Sequence, residues 1–139
     1  MMANILIVDD QPCVRELLSE ELISEGYRVA AAGDVKSAKG RLRSSQPDLV
    51  ILDLYLDGPE GKDLLRDIKG QNPDLPVIIF TAYDNYVDDP QLSQADGYVI
   101  KSFVLDGLKR KVADILKPKA GPQETVRAWS YGQGMVMSP

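Results

Sequence analysis

Short, uninterrupted apolar runs constrain this chain more than any other feature. "ILIV" at 5–8, the centre of "DLVILDL" at 49–52 and "VIIF" at 77–80 are each four residues long and apolar throughout. Runs without polar alternation belong to strands buried on both faces, as in a parallel sheet covered by helices. "YRVAAA" and "GYVIK" are weaker strand segments of the same kind. Helical periods fall between them. Pro12 suits a first helical turn, and Val14, Leu17, Leu18 and Leu22 keep to one face until Gly26 stops the helix. Asp34 can cap a second helix carrying Val35, Ala38 and Leu42. Gly58, Pro59 and Gly61 make a turn, Leu64, Leu65 and Ile68 mark a third helix, and "GQNPDLP" breaks it. Leu105, Leu108, Val112, Ile115 and Leu116 mark a last one. The alternation predicts an α/β domain, a doubly wound five-stranded parallel sheet with helices on both faces. It lapses over 84–94, where Pro90 removes a helix donor, so that segment should be mostly loop with at most a short helical turn.

The chain has 139 residues, enough to bury a core without disulfides or structural metals. With 16 basic and 21 acidic residues its net charge is -5, which argues against direct nucleic-acid binding. It has no histidine, so imidazole catalysis and most zinc sites are excluded. Cys13 is the single cysteine and agrees with a reducing compartment. No run is apolar enough for a membrane span and the start lacks a signal-peptide pattern, so a cytoplasmic location is expected. Beyond Pro118 the apolar period dissolves, giving a domain over 1–117 and a tail over 118–139, with no output-domain pattern after Leu116.

In open α/β sheets ligands bind beyond the carboxyl ends of the strands. Here those ends carry Asp9 and Asp10, then Asp53, Thr81 and Lys101. Adjacent carboxylates such as Asp9 and Asp10 repel each other, and a hard divalent cation offsets that repulsion; Mg2+ prefers such carboxylate oxygens. A carboxylate beside the metal can attack phosphorus to form an aspartyl phosphate, with Lys101 and Thr81 placed to meet the equatorial oxygens.

"ILIVDDQP", "DLVILDLYLDGPEG", "VIIFTAY" and "ADGYVIKSF" resemble, in order, the blocks of the receiver domain of two-component response regulators. The resemblance covers about residues 3–117. It implies a flavodoxin-like sheet in strand order 2-1-3-4-5 and phosphoryl transfer to Asp53 from a sensor histidine kinase or phosphotransfer protein. It implies Mg2+ as the cofactor, with Mn2+ as a substitute. Asp10 would bind the metal directly, Asp9 mainly through water, and the metal shell would also take Asp53 and the backbone carbonyl of Tyr55. Thr81 would contact the phosphoryl group, Tyr98 would hold the aromatic switch position, and the segment 84–105 would carry the signal to a downstream protein. The resemblance implies a signalling domain that catalyses its own phosphoryl transfer and slow dephosphorylation, not a metabolic enzyme, and leaves a homodimer open. Two features depart from the family pattern: Ser102 follows Lys101 where proline is usual, and the stretch from Thr81 to Lys101 is about two residues short.

Taken singly, these residues have plainer roles. Asp10 before Pro12 could be a helix cap, Thr81 a turn residue, Lys101 a surface charge and Tyr98 packing. A dinucleotide-binding reading fails because "DDQP" offers carboxylates where backbone amides would have to approach phosphate. A haloacid-dehalogenase-type phosphatase needs a second aspartate two residues after the nucleophile, where Tyr55 stands; Asp57 is too far along. The alternative that remains is a receiver-like docking module phosphorylated poorly or never. Tyr55 and Tyr83, each two residues beyond a site residue, would line the approach of attacking water.

Overall fold

The computed structural model describes residues 2–56, 60–82, 90–102 and 104–117. Gly58, Pro59, Tyr83, residues 84–89 of the irregular segment and the 118–139 tail lie outside the described residues. Five strands, β1 (Asn4–Val8), β2 (Arg28–Ala32), β3 (Leu49–Leu52), β4 (Val77–Thr81) and β5 (Gly97–Ile100), form one parallel sheet in the order β2-β1-β3-β4-β5. Helices α1 (Pro12–Ser24), α2 (Val35–Ser45), α3 (Glu60–Gln71) and α4 (Asp106–Leu116) cover it. Between β4 and β5 the helical content, among the described residues, is the 3-10 turn Pro90–Leu92. That is the short, irregular helix expected there.

The period-two alternation of the strands sorts the core into two layers. Leu6, Val8, Val50, Leu52, Val77 and Ile79 face α2 and α3, where Ala38, Leu64, Leu65 and Ile68 meet them. Ile5, Ile7, Leu49, Ile51, Ile78 and Phe80 face the other way, onto Leu18 and Leu22 of α1 and Leu108 and Val112 of α4. Each fully buried aliphatic side chain is worth about 1.5–3 kcal/mol, and a slip of one residue would exchange the two sets. The register Ile5↔Leu49 to Val8↔Leu52 is therefore held from both faces. The direction of winding reverses after β2, so the connections from β1 leave to one side and those from β3 to the other. The crevice between β1 and β3 is the topological switch point.

Local signals behave as chemistry requires, with two corrections. Pro12 occupies the first turn of α1, and the Asp34 side chain accepts a hydrogen bond from the Ser37 backbone N–H at 2.7 Å, capping α2. Leu17, however, is 42% exposed. The buried stripe of α1 runs through positions 14, 18 and 22, and at about 100° per residue Leu17 falls off its edge. Gly61, expected in a turn, lies inside α3. Its backbone N–H donates to the Leu54 carbonyl at 3.1 Å, and a Cβ there would come within 2.5 Å of the Leu54 Cα and carbonyl oxygen and 2.6 Å of the Asp53 carbonyl oxygen. Every one of those atoms is backbone, so none can swing aside. Gly61→Ala is expected to destabilise the protein by about 1–3 kcal/mol through overpacking, read by urea unfolding. A neutral result would mean that the loop after β3 yields freely.

Candidate functional site

The parallel ladders bring the site together. Because Val8 pairs with Leu52, the next residues, Asp9 and Asp53, emerge side by side: the Asp53 N–H donates to the Val8 carbonyl at 2.9 Å and the Asp9 N–H to the Ala32 carbonyl at 3.1 Å. On the other side of β3, Thr81 pairs with Ile100, and the Lys101 N–H donates to the Thr81 carbonyl at 2.7 Å. Carboxylate oxygens of Asp9, Asp10 and Asp53 then lie within 4.8 Å of one another. Asp9, Asp53 and Thr81 are buried, at 2%, 5% and 0% exposure.

One ammonium binds this cluster. Lys101 Nζ lies 2.9 Å from Asp9 Oδ2 and 3.1 Å from Asp53 Oδ2, and donates to Gln11 Oε1 at 3.3 Å. The remaining oxygens are oriented by backbone: Asp9 Oδ1 accepts from the Gln11 N–H at 2.9 Å and Asp53 Oδ1 from the Tyr55 N–H at 3.2 Å. The cap position of α1 is Gln11, with no side-chain cap, so Asp10 does not serve as one. Tyr55 and Tyr98 are half-buried against the core layer that faces α2 and α3.

Two contributors were not singled out from the sequence. Gln11 adds a third acceptor around Lys101, and Arg15 donates to the Asp9 carbonyl at 2.7 Å, bracing the loop that carries both aspartates. Arg15 stands one turn after Gln11, donating its N–H to the Gln11 carbonyl at 3.1 Å, and helical period alone could have brought it into view.

The donor set suits a divalent cation of the Mg2+ type. All the candidate ligands are hard oxygens, and ligands on opposite sides of Mg2+ are about 4 Å apart, close to the spread found here. Without a metal, the Asp9 and Asp53 carboxylates share the Lys101 ammonium, with Asp10 beside them. Burial holds the Asp53 carboxyl above its ordinary range, against the lowering effect of the Lys101 charge, with the Asp9 charge adding to the rise. For Lys101, burial works downward, but the hydrogen bond to Asp9 and the charges of Asp53 and Asp9 outweigh it and raise its pKa. A raised carboxyl pKa means that the folded state binds the proton more tightly than the unfolded chain. Its stabilising contribution is present below the unfolded pKa and is lost as pH rises through the folded one. In metal-free buffer Asp53→Asn is therefore expected to melt at a higher temperature than the parent at neutral pH, the gap narrowing as pH falls into the carboxylate range. Thermal unfolding in chelator across that pH series checks this, and a variant less stable than the parent at neutral pH would contradict it.

Comparison with known proteins agrees with this arrangement. The family model for the response regulator receiver domain matches residues 5–113. The probable transcriptional regulatory protein TcrX of Mycobacterium tuberculosis is 35% identical over 116 residues, 82% of this chain and 50% of that protein. The two-component response regulator PhoP of Pseudomonas aeruginosa is 32% identical over 128 residues, 90% of this chain and 57% of that one. The chain thus spans about half the length of these relatives. Among solved structures, the response regulator TrrA of Thermotoga maritima, in complex with Mg2+ and BeF, superposes with a TM-score of 0.79 at 43% identity, covering 83% of this chain and all (100%) of that one. The same regulator bound to the histidine kinase ThkA superposes at 0.77, with 42% identity over 84% of this chain and 100% of the other. A doubly wound sheet with acidic and basic residues at its switch point, matched along most of its length by the family model, places this chain in the response regulator receiver family.

Proposed function

We propose that this chain is a phosphorylation-dependent switch that accepts a phosphoryl group on Asp53 from a partner histidine kinase or phosphotransfer protein. One observation carries the reading: the Lys101 ammonium sits 3.1 Å from an Asp53 carboxylate at the switch point, beside the Asp9 and Asp10 carboxylates. The relatives support it, since TrrA is found both with Mg2+ and BeF and with a histidine kinase. Residues 1–117 form the receiver unit and 118–139 a tail. The role is signalling rather than metabolic turnover.

In the transfer, an Asp53 carboxylate oxygen forms a bond to phosphorus as the P–N bond of a phosphohistidine breaks. The imidazole nitrogen leaves with the electron pair and then takes a proton. Lys101, already within reach of Asp53, meets the charge on the phosphoryl oxygens, and the Thr81 hydroxyl at the end of β4 donates to one of them. The Tyr55 N–H keeps the other Asp53 oxygen oriented. Asp10, Asp53, the Tyr55 carbonyl and, through water, Asp9 would hold Mg2+, or Mn2+ in its place, and the bound ion would supply positive charge to offset the repulsion between carboxylate and phosphoryl group. Output then runs from Thr81 to Tyr98 on β5 and through the segment 84–105, whose short 3-10 turn leaves room for a change of order. Tyr55, two residues beyond Asp53, limits water at the acyl phosphate.

A complete set of acidic and basic positions favours this reading over a docking module that is never phosphorylated. With acetyl phosphate and Mg2+, the protein is expected to take up one phosphoryl group, seen as a single mass increment; Asp53→Asn and chelation should each abolish it. Labelling that survives both would sink the assignment. Asp10→Ala should weaken Mg2+ binding by about tenfold, or ~1.4 kcal/mol, while raising the metal-free melting temperature through relief of like-charge repulsion. A metal-free melting temperature below that of the parent would oppose it.

A further inference from the structure

A second charged cluster lies at the opposite edge of the sheet. Lys69, in the last turn of α3, has a side chain only 7% exposed, and its ammonium lies 2.7 Å from Asp96 Oδ2. It also donates to the backbone carbonyls of Leu75 at 2.8 Å and Pro73 at 3.4 Å. Asp96 Oδ2 accepts a further hydrogen bond from the Val77 N–H at 2.8 Å, and the Asp96 N–H returns one to the Val77 carbonyl at 2.8 Å. The pair therefore ties three things at one point: the end of α3, the start of β4 and the residue immediately before β5.

An ion pair with a buried lysine is a poor way to gain stability, because apolar residues of similar size often do as well. Its location indicates another use. β5 is an edge strand of four residues whose single ladder partner is β4. Its far end delivers Lys101 to Asp9 and Asp53, and Tyr98 lies between. A slip of one residue would move Lys101 by about 3.3 Å and turn Tyr98 to the other face. The connection from Thr81 to Asp96 runs through 82–95, most of which belongs to the segment 84–105 that carries the output in the proposed function.

We infer that Lys69 and Asp96 are positioning residues for phosphoryl transfer, clamping the start of β5 so that Lys101 keeps its reach to Asp53 while the 82–95 connection changes. This rests on the proposed phospho-acceptor role of Asp53, and the test separates the two. Asp96→Asn keeps an acceptor for Val77 and removes the charge; Lys69→Met removes the ammonium and fills its space; Lys69→Arg restores the charge. Each is compared with the parent well below its melting temperature. Amide exchange at residues 98–100 should rise in Asp96→Asn and Lys69→Met without a matching rise in β1 and β3. The labelling rate at saturating acetyl phosphate should fall by about tenfold with Mg2+ affinity unchanged, as expected for a displaced catalytic group, and Lys69→Arg should recover most of it. Rates within twofold of the parent in both charge-removing variants would overturn the inference, as would an exchange increase spread equally over all strands. If the parent takes no label, the acceptor reading fails by itself, and selective exchange at 98–100 then upholds the clamp while its absence overturns it.

Discussion

The Lys101 ammonium between the Asp9 and Asp53 carboxylates is the interaction on which the carboxyl edge of this sheet depends. Like charges about 4 Å apart at an effective dielectric constant of ~20 repel by about 4 kcal/mol, so three carboxylates within 4.8 Å of one another call for a counter-charge. One ammonium offsets only part of this. The raised pKa of the Asp53 carboxyl, caused first by burial and then by Asp9, records what remains. The metal-free site therefore holds an excess of negative charge. That excess suits a hard divalent cation and makes the site a poor contributor to stability.

The rest of the fold serves to hold these charges still. Asp9 and Asp53 are neighbours because β1 and β3 are paired in register, and they are paired because each strand is buried on both faces. Backbone amides of Gln11 and Tyr55 take up one oxygen of each aspartate, so neither carboxylate can turn away from Lys101 without losing a hydrogen bond. Gly61 lets α3 approach the backbone that follows Asp53 more closely than any other residue would allow. Such close approach leaves the backbone of Asp53 and Leu54 little room to shift.

The strands on either side of the connection between β4 and β5 are fixed by backbone hydrogen bonds. Thr81 ends the first of these strands, Asp96 immediately precedes the second, and both are held by backbone ladders. The single 3-10 turn described between them buries Leu92 but adds little regular structure. Each end of the sheet carries a lysine paired with carboxylate, Lys101 with Asp9 and Asp53 at one and Lys69 with Asp96 at the other.

Much of this was legible in the amino-acid order. Four-residue apolar runs marked the buried strands, the Asp34 cap and Pro12 marked helix starts, and polar residues after the strands marked Asp9, Asp10, Asp53, Thr81 and Lys101. These are local signals, since apolar period and capping chemistry act within a few residues. What the local pattern did not contain were the partners that meet across long separations. The exposure of Leu17, the close contact of Gly61 with Leu54, the bracing of Asp9 by Arg15 and the pairing of Lys69 with Asp96 all depend on which elements pack together. Strand, helix and the polar residues at the carboxyl ends of the strands follow from short-range periodicity and side-chain chemistry, and so were open to reading along the chain. Which charges face each other follows instead from strand order and register, selected together by two-sided burial of the whole sheet, and that became visible in the fold alone.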